Sequence, residues 1–95
     1  MQKDFCVYII TNHNNAVLYT GVTSSLKARI WQHKNKTLDG FSKKYNLGKL
    51  VYYEIYADAA SAITREKEVK KMLRKEKFLL VKNFNPDWED LYDKI

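Results

Sequence analysis

The stretch VYIITNHNNAVLYTGVTSSLKARIWQH, residues 7–33, decides the fold. Residues 5–11 and 16–21 are rich in β-branched and aromatic side chains, and the polar loop Asn12-His13-Asn14-Asn15 between them signals a hairpin. A loop that closes symmetrically sets Tyr8 directly opposite Tyr19, with both phenols on one face of the sheet. Gly21 is expected to end the second strand. Thr23-Ser24-Ser25 then offers N-cap candidates for a helix carrying Leu26, Arg29, Ile30 and His33 at spacings of three and four, so Arg29 and His33 point the same way.

Outward from this stretch, residues 34–49 hold Gly40, Gly48 and several Lys and Asn residues and read as a loop. Within it, Lys43, Lys44 and Tyr45 combine two cations with an aromatic ring, a chemistry suited to phosphates and an unstacked base. Residues 50–56 (LVYYEIY) are expected to form a third strand. Asp58 is a natural N-cap for a helix from about Ala59 to about Lys75, and residues 76–82 either extend it or make a further helix. Ala59, Ala62, Ile63, Val69, Met72 and Leu73 form an apolar stripe on that helix. Glu66 falls inside the stripe, whereas Glu68 falls on the solvated side. A carboxylate facing the sheet needs a partner, for which Arg29 or a divalent cation would serve. Pro86 marks a turn after the last helix, from which Trp88 and Leu91 tuck back on the body. The architecture expected is α/β of the α+β kind: a three-stranded antiparallel sheet flanked by helices, in the order β-β-α-β-α-(α).

A chain of 95 residues without a composition break reads as one domain over residues 1–95. No apolar run approaches the ~20 residues of a membrane span, and no secretory signal is visible, which points to the cytoplasm. The single cysteine, Cys6, cannot form an internal disulfide and reads as a structural strand residue. The net charge of +6 is unevenly distributed. Residues 27–49 hold seven cations against Asp39 alone, and residues 65–77, which include Lys70 and Lys71, hold seven against three glutamates. From Asp87 the sign reverses. This segregation suggests a basic, phosphate-binding surface with an acidic tail kept off it.

In Val7-Tyr8-Ile9, Leu18-Tyr19-Thr20-Gly21, Thr23, Leu26, Arg29 and His33, followed by Arg65-Glu66-x-x-Val69-Lys70, the chain resembles the GIY-YIG endonuclease superfamily. The likeness is greatest to small stand-alone bacterial members related to the nuclease domain of the excision-repair subunit. Cys6 replaces the first glycine of the name motif and Thr20 its second isoleucine, while both tyrosines are kept. The resemblance implies a metal-dependent DNA endonuclease, with branched or damaged DNA among the substrates in view. It also implies Tyr8, Tyr19, Arg29, His33 and Glu66 as site residues. Glu66 would bind one Mg²⁺ or Mn²⁺ ion, Arg29 would hold the scissile phosphate, and Tyr8 or Tyr19 would position or deprotonate the water. Such a phenol needs its pKa lowered from about 10 by nearby positive charge. His33 is a further proton-transfer candidate. A late asparagine near the metal or phosphate is a feature of the superfamily, with Asn85 the first candidate and Asn83 the second. The rival reading is a nucleic-acid-binding module that keeps the fold without cleaving. Oligomeric state is not legible in the sequence.

Overall fold

The computed structural model describes residues 4–95. Its strands are β1 (Phe5–Thr11), β2 (Leu18–Thr23) and β3 (Lys49–Tyr56), and its helices are α1 (Leu26–Lys34), α2 (Phe41–Lys44), α3 (Ala59–Lys71) and α4 (Arg74–Phe84), with a closing 3-10 turn at Tyr92–Lys94. The strands form one antiparallel sheet in the order β2-β1-β3. The expected α+β architecture and element order are therefore those observed, with α2 as an addition inside the stretch that read as a loop. Gly40 opens α2 at φ 105°, a backbone angle that side-chain-bearing residues avoid.

The central strand is buried on both faces, and alternation sorts its side chains. Val7 and Ile9 pack with Val51, Tyr52, Ala62, Val69 and Val81 beneath α3 and α4. Tyr8 and Ile10 pack on the other side with Ile30, Leu47, Leu50 and Leu91. Cys6 is buried in the sheet.

The hairpin departs from symmetric closure. Asn12 turns its side-chain oxygen into the loop and accepts from the amides of Ala16 at 2.8 Å and Val17 at 3.2 Å, which keeps both residues out of the ladder. Pairing begins at Thr11 with Leu18, so Tyr8 lies opposite Gly21 and Tyr19 opposite Ile10. The tyrosines still share a face, but as diagonal rather than direct neighbours. Gly21 lies within β2, which runs on to Thr23, rather than ending it.

The Asp58 cap forms as expected, its carboxylate accepting from the Ser61 amide at 2.7 Å. The helix that follows stops at Lys71 because Met72 and Leu73 turn extended, and the Glu76 carboxylate accepts the Leu73 amide at 2.8 Å to start α4. Leu73 is thereby thrown out of phase with the apolar stripe and is exposed, as is Ile63. The acidic tail is not held off the basic surface. Asp90 pairs with Lys34 and accepts from the Leu50 amide at 3.2 Å, and Lys27 donates to the Tyr92 carbonyl at 2.9 Å with its ammonium over the Tyr92 ring. The tail neutralises part of the first basic cluster and seats Leu91 in the core.

Candidate active site

Tyr8 is the centre of the polar face. Its position opposite Gly21 is what admits the ring: a Cβ at residue 21 would lie 2.4 Å from the Tyr8 phenolic oxygen. α1 then crosses this face and brings His33 inward, so that Tyr8 Oη and His33 Nε2 are 2.9 Å apart in the interior. The other imidazole nitrogen, Nδ1, lies 3.0 Å from the hydroxyl of Ser42 on α2. A buried Tyr8–His33–Ser42 line results, along which a proton can be passed. Tyr19 stands beside it with its ring centroid 5.9 Å from that of His33, and is half-buried where Tyr8 is fully enclosed.

The electrostatics run against one expectation. Burial pushes the Tyr8 phenol up to about 12, with help from the Tyr19 phenol. The Arg29 guanidinium beside it pulls down, and the Glu66 carboxylate adds a smaller push up. Desolvation thus outweighs Arg29, and Tyr8 keeps its proton at neutral pH rather than losing it readily. His33 is held below the usual imidazole range by burial and then by Arg29, so the ring is neutral. A neutral imidazole can accept from a neutral phenol on one side while donating on the other.

Glu66 reaches the same place from α3, close enough for its charge to be felt at the Tyr8 oxygen. Its side chain is 13% exposed, and its ion-pair partner is Lys70, one turn along the helix at 3.0 Å, rather than Arg29. The partner that the apolar stripe demanded comes from the helix itself, because a lysine at i+4 can arch back over it. Among the described residues, Arg29 enters no ion pair. No three His, Cys, Asp or Glu side chains gather at one point among those residues, so an ion held here would have Glu66 as its single carboxylate.

Tyrosines on two strands, arginine and histidine one turn apart on α1, and a half-buried glutamate on α3 thus act on one point, the Tyr8 phenol. The family profile of the GIY-YIG catalytic domain matches residues 4–79. The chain belongs to the GIY-YIG family. It is 35% identical over 81 residues to a UPF0213 protein of Staphylococcus epidermidis, covering 85% of this chain and 96% of that one. It is 38% identical over 79 residues to a UPF0213 protein of Clostridium perfringens, covering 79% and 80%. The solution NMR structure of a UPF0213 protein from Bacillus halodurans superposes with a TM-score of 0.58 at 25% identity, covering 92% of each chain.

At the two places where this GIY-YIG chain departs from the name motif, the side chains lie inside the sheet. Cys6 is buried, and the Thr20 hydroxyl is buried without a hydrogen-bond partner among the described residues. The other candidate residues are dispersed. Lys43, Lys44 and Tyr45 are exposed on and just after α2, while Lys70 and Lys71 are exposed at the end of α3. Asn85 is not drawn to the tyrosines. It is buried, donates to the carbonyls of Val51 at 3.1 Å and Glu89 at 2.8 Å, and accepts from the Glu89 amide at 3.1 Å. Its amide hydrogens are both engaged in tying the C-terminal turn to β3. Asn83 is exposed on α4.

Two members of the site were missing from the sequence reading. Ser42 sets the imidazole from behind, and Phe41 stacks on Tyr19 with ring centroids 6.2 Å apart. The spacing of Phe41 and Tyr45 by four residues was the available signal, masked by the glycines and lysines around it. Among the described residues no helix is long and apolar enough to cross a membrane.

Proposed function

We propose that this GIY-YIG chain is a divalent-metal-dependent endonuclease that hydrolyses DNA phosphodiester bonds, working as a single domain over residues 1–95. One observation carries the reading: the Tyr8 phenol feels Tyr19, Arg29 and Glu66 at once and bonds to His33, while Arg29 and Glu66 are not consumed by each other. A purely structural cluster would cancel those charges internally.

Glu66 would hold the ion. The donor set fits Mg²⁺ or Mn²⁺, since a single carboxylate suits an ion that keeps several of its own waters, and a cationic ammonium already lies against it. Bound there, the ion supplies Lewis-acid stabilisation of the charge that grows on the phosphate and the leaving oxygen. Arg29 orients the phosphate through its planar fork of donors. Tyr8, its single proton hydrogen-bonded to neutral His33, would take the proton of the attacking water on its free lone pair as it passes its own to His33 Nε2. Tyr19, nearer to solvent, positions the attacking water. Lys43, Lys44, Lys70 and Lys71 supply contacts to flanking phosphates, giving weak, salt-sensitive binding with little sequence preference. The buried, lone Cys6 is compatible with a reducing compartment such as the cytoplasm.

The test is a nicking assay on supercoiled, branched and single-stranded DNA with and without Mn²⁺, run on the parent protein and on Glu66→Gln. Metal-dependent cleavage by the parent is expected, with a loss of orders of magnitude in the variant at unchanged DNA affinity. A folded parent that binds DNA but cuts none of these substrates makes the chain a binding module instead.

A further inference from the structure

The geometry points to a base-stacking subsite on Phe41 and Tyr45, which would receive the unpaired nucleobase of a nucleotide next to the phosphate held at Tyr8, Tyr19 and Arg29. The substrate class is then DNA with at least one unstacked nucleotide: a single strand, a flap or a frayed end. This inference rests on the nuclease reading above and adds its substrate class.

Three observations carry it. The first is an aromatic row that leads out of the candidate site. Tyr19 stacks on Phe41 at 6.2 Å with 26° between the ring planes, and Phe41 meets Tyr45 at 4.7 Å and 47°. The row ends in the open, since Phe41 is 47% and Tyr45 39% exposed. Two large rings left uncovered beside a polar site present apolar area that a further planar group can bury.

The second is rigidity. The row stands on α2, a short helix held from below by the Ser42 hydroxyl on His33 and by Leu47, which is buried in the core and donates its amide to the Ser42 carbonyl at 2.8 Å. The platform is thereby fixed relative to Tyr8, rather than carried on a free loop.

The third is charge. Lys44 brings its ammonium to 5.4 Å from the Tyr45 ring centroid, and exposed Lys43 is only loosely engaged by Asp39 at 3.5 Å. Rings interleaved with cations match a strand whose bases and phosphates alternate. Inside a duplex both faces of a base are covered by its neighbours, so a protein ring gains a partner only where a base is unstacked.

The experiment measures fluorescence anisotropy in EDTA at low salt, where cleavage cannot intervene. The probes are a labelled oligothymidylate of about twelve nucleotides and an abasic oligomer of the same length, which keeps the phosphates and removes the bases. The oligothymidylate is expected to bind about tenfold tighter than the abasic strand. Phe41→Ala and Tyr45→Ala should each remove about fivefold or more of that affinity and leave abasic binding unchanged. Phe41→Trp and Tyr45→Phe, which keep the rings, should retain it, so a folding defect in the alanine variants is separable. Equal binding of the two oligomers, or equal weakening of both by the alanine variants, overturns the subsite. The nuclease reading is judged separately by Mn²⁺-dependent nicking. A protein that cuts but treats both oligomers alike loses the platform and keeps the activity, and one that prefers bases but never cuts does the reverse.

Discussion

Two clusters of tyrosine, arginine and glutamate are built on one sheet, and they differ in whether their charges cancel. On the α3 face, Glu54 accepts from Arg65 Nε at 3.0 Å, from the Tyr56 hydroxyl at 2.6 Å and from the Tyr52 hydroxyl, and Arg65 also reaches Glu68 at 3.5 Å. Burial pushes the Glu54 carboxyl up, but these donors outweigh it and hold it below the usual carboxylate range. Around Tyr8, Arg29 has no carboxylate partner among the described residues, Glu66 is matched by an exposed lysine of its own helix, and the histidine is neutral. Arg65 and Glu66 are adjacent in sequence, yet one closes the structural cluster while the other enters the open one. A set of charges satisfied within the protein stabilises the fold. A set left partly unmatched is available to a phosphate and an ion.

The sharpest test of this contrast exchanges each glutamate for its amide. Glu66→Gln should lower metal-dependent cleavage by orders of magnitude, with a melting change of a degree or two at most, because an i,i+4 pair with an exposed lysine contributes only ~0.3–0.5 kcal/mol. Glu54→Gln should do the opposite. It strands Arg65 and two phenols and should cost ~2 kcal/mol, about 10 °C in Tm for a domain of this size, while cleavage per folded molecule stays within about twofold. If Glu54→Gln abolished cleavage at full folding, the two clusters would not be separate devices.

Gly21→Ala sharpens the comparison from the backbone side. The new Cβ would fall 2.4 Å from the Tyr8 ring, so the ring must leave its slot or β2 must shift, at a cost of about 1–3 kcal/mol. The expected signature is loss of the Tyr8–His33 hydrogen bond, seen as a rise in the imidazole pKa by NMR, together with lost cleavage. An alanine variant with an unmoved His33 titration would show that the slot is softer than the contact implies.

How much of this was legible depended on whether a feature was periodic or particular. The three strands, the face shared by Tyr8 and Tyr19, the alignment of Arg29 with His33 and the inward Glu66 all follow from periods of two and 3.6, which a sequence displays. The register did not, because it turned on one side chain: Asn12 captured two amides and enlarged the loop. Asn85 and the acidic tail were misjudged for the same reason, since a side chain that clamps backbone looks in sequence like one free to bind a ligand. The sign of the Tyr8 shift was also out of reach. It needed the depth of burial, which set desolvation above the pull of Arg29.

That sign makes the last and smallest prediction. Tyr8 has a folded pKa of about 12 against about 10 for a free phenol, so the unfolded chain releases this proton first as pH rises. The stability linked to it is fully present below pH 10 and is lost as pH climbs toward 12, by ~1.4 kcal/mol at pH 11. Tyr52 and Tyr56 are also raised and contribute to the same alkaline fall, so the parent curve alone does not isolate Tyr8. Tyr8→Phe does. It should lower Tm near neutral pH through the lost hydrogen bond to His33, while making the decline between pH 9 and pH 11 shallower than the parent's by that amount, so that the two curves converge on the alkaline side. The acid limb carries the opposite sign. His33 is depressed on folding, so its contribution holds above about pH 6.5 and is lost as pH falls further. His33→Gln should flatten that limb and leave the Tyr8 share of the alkaline one in place. Parallel alkaline curves for the parent and Tyr8→Phe would mean that the phenol is not desolvated, and the contrast between an enclosed Tyr8 and a solvent-facing Tyr19 would fail with it.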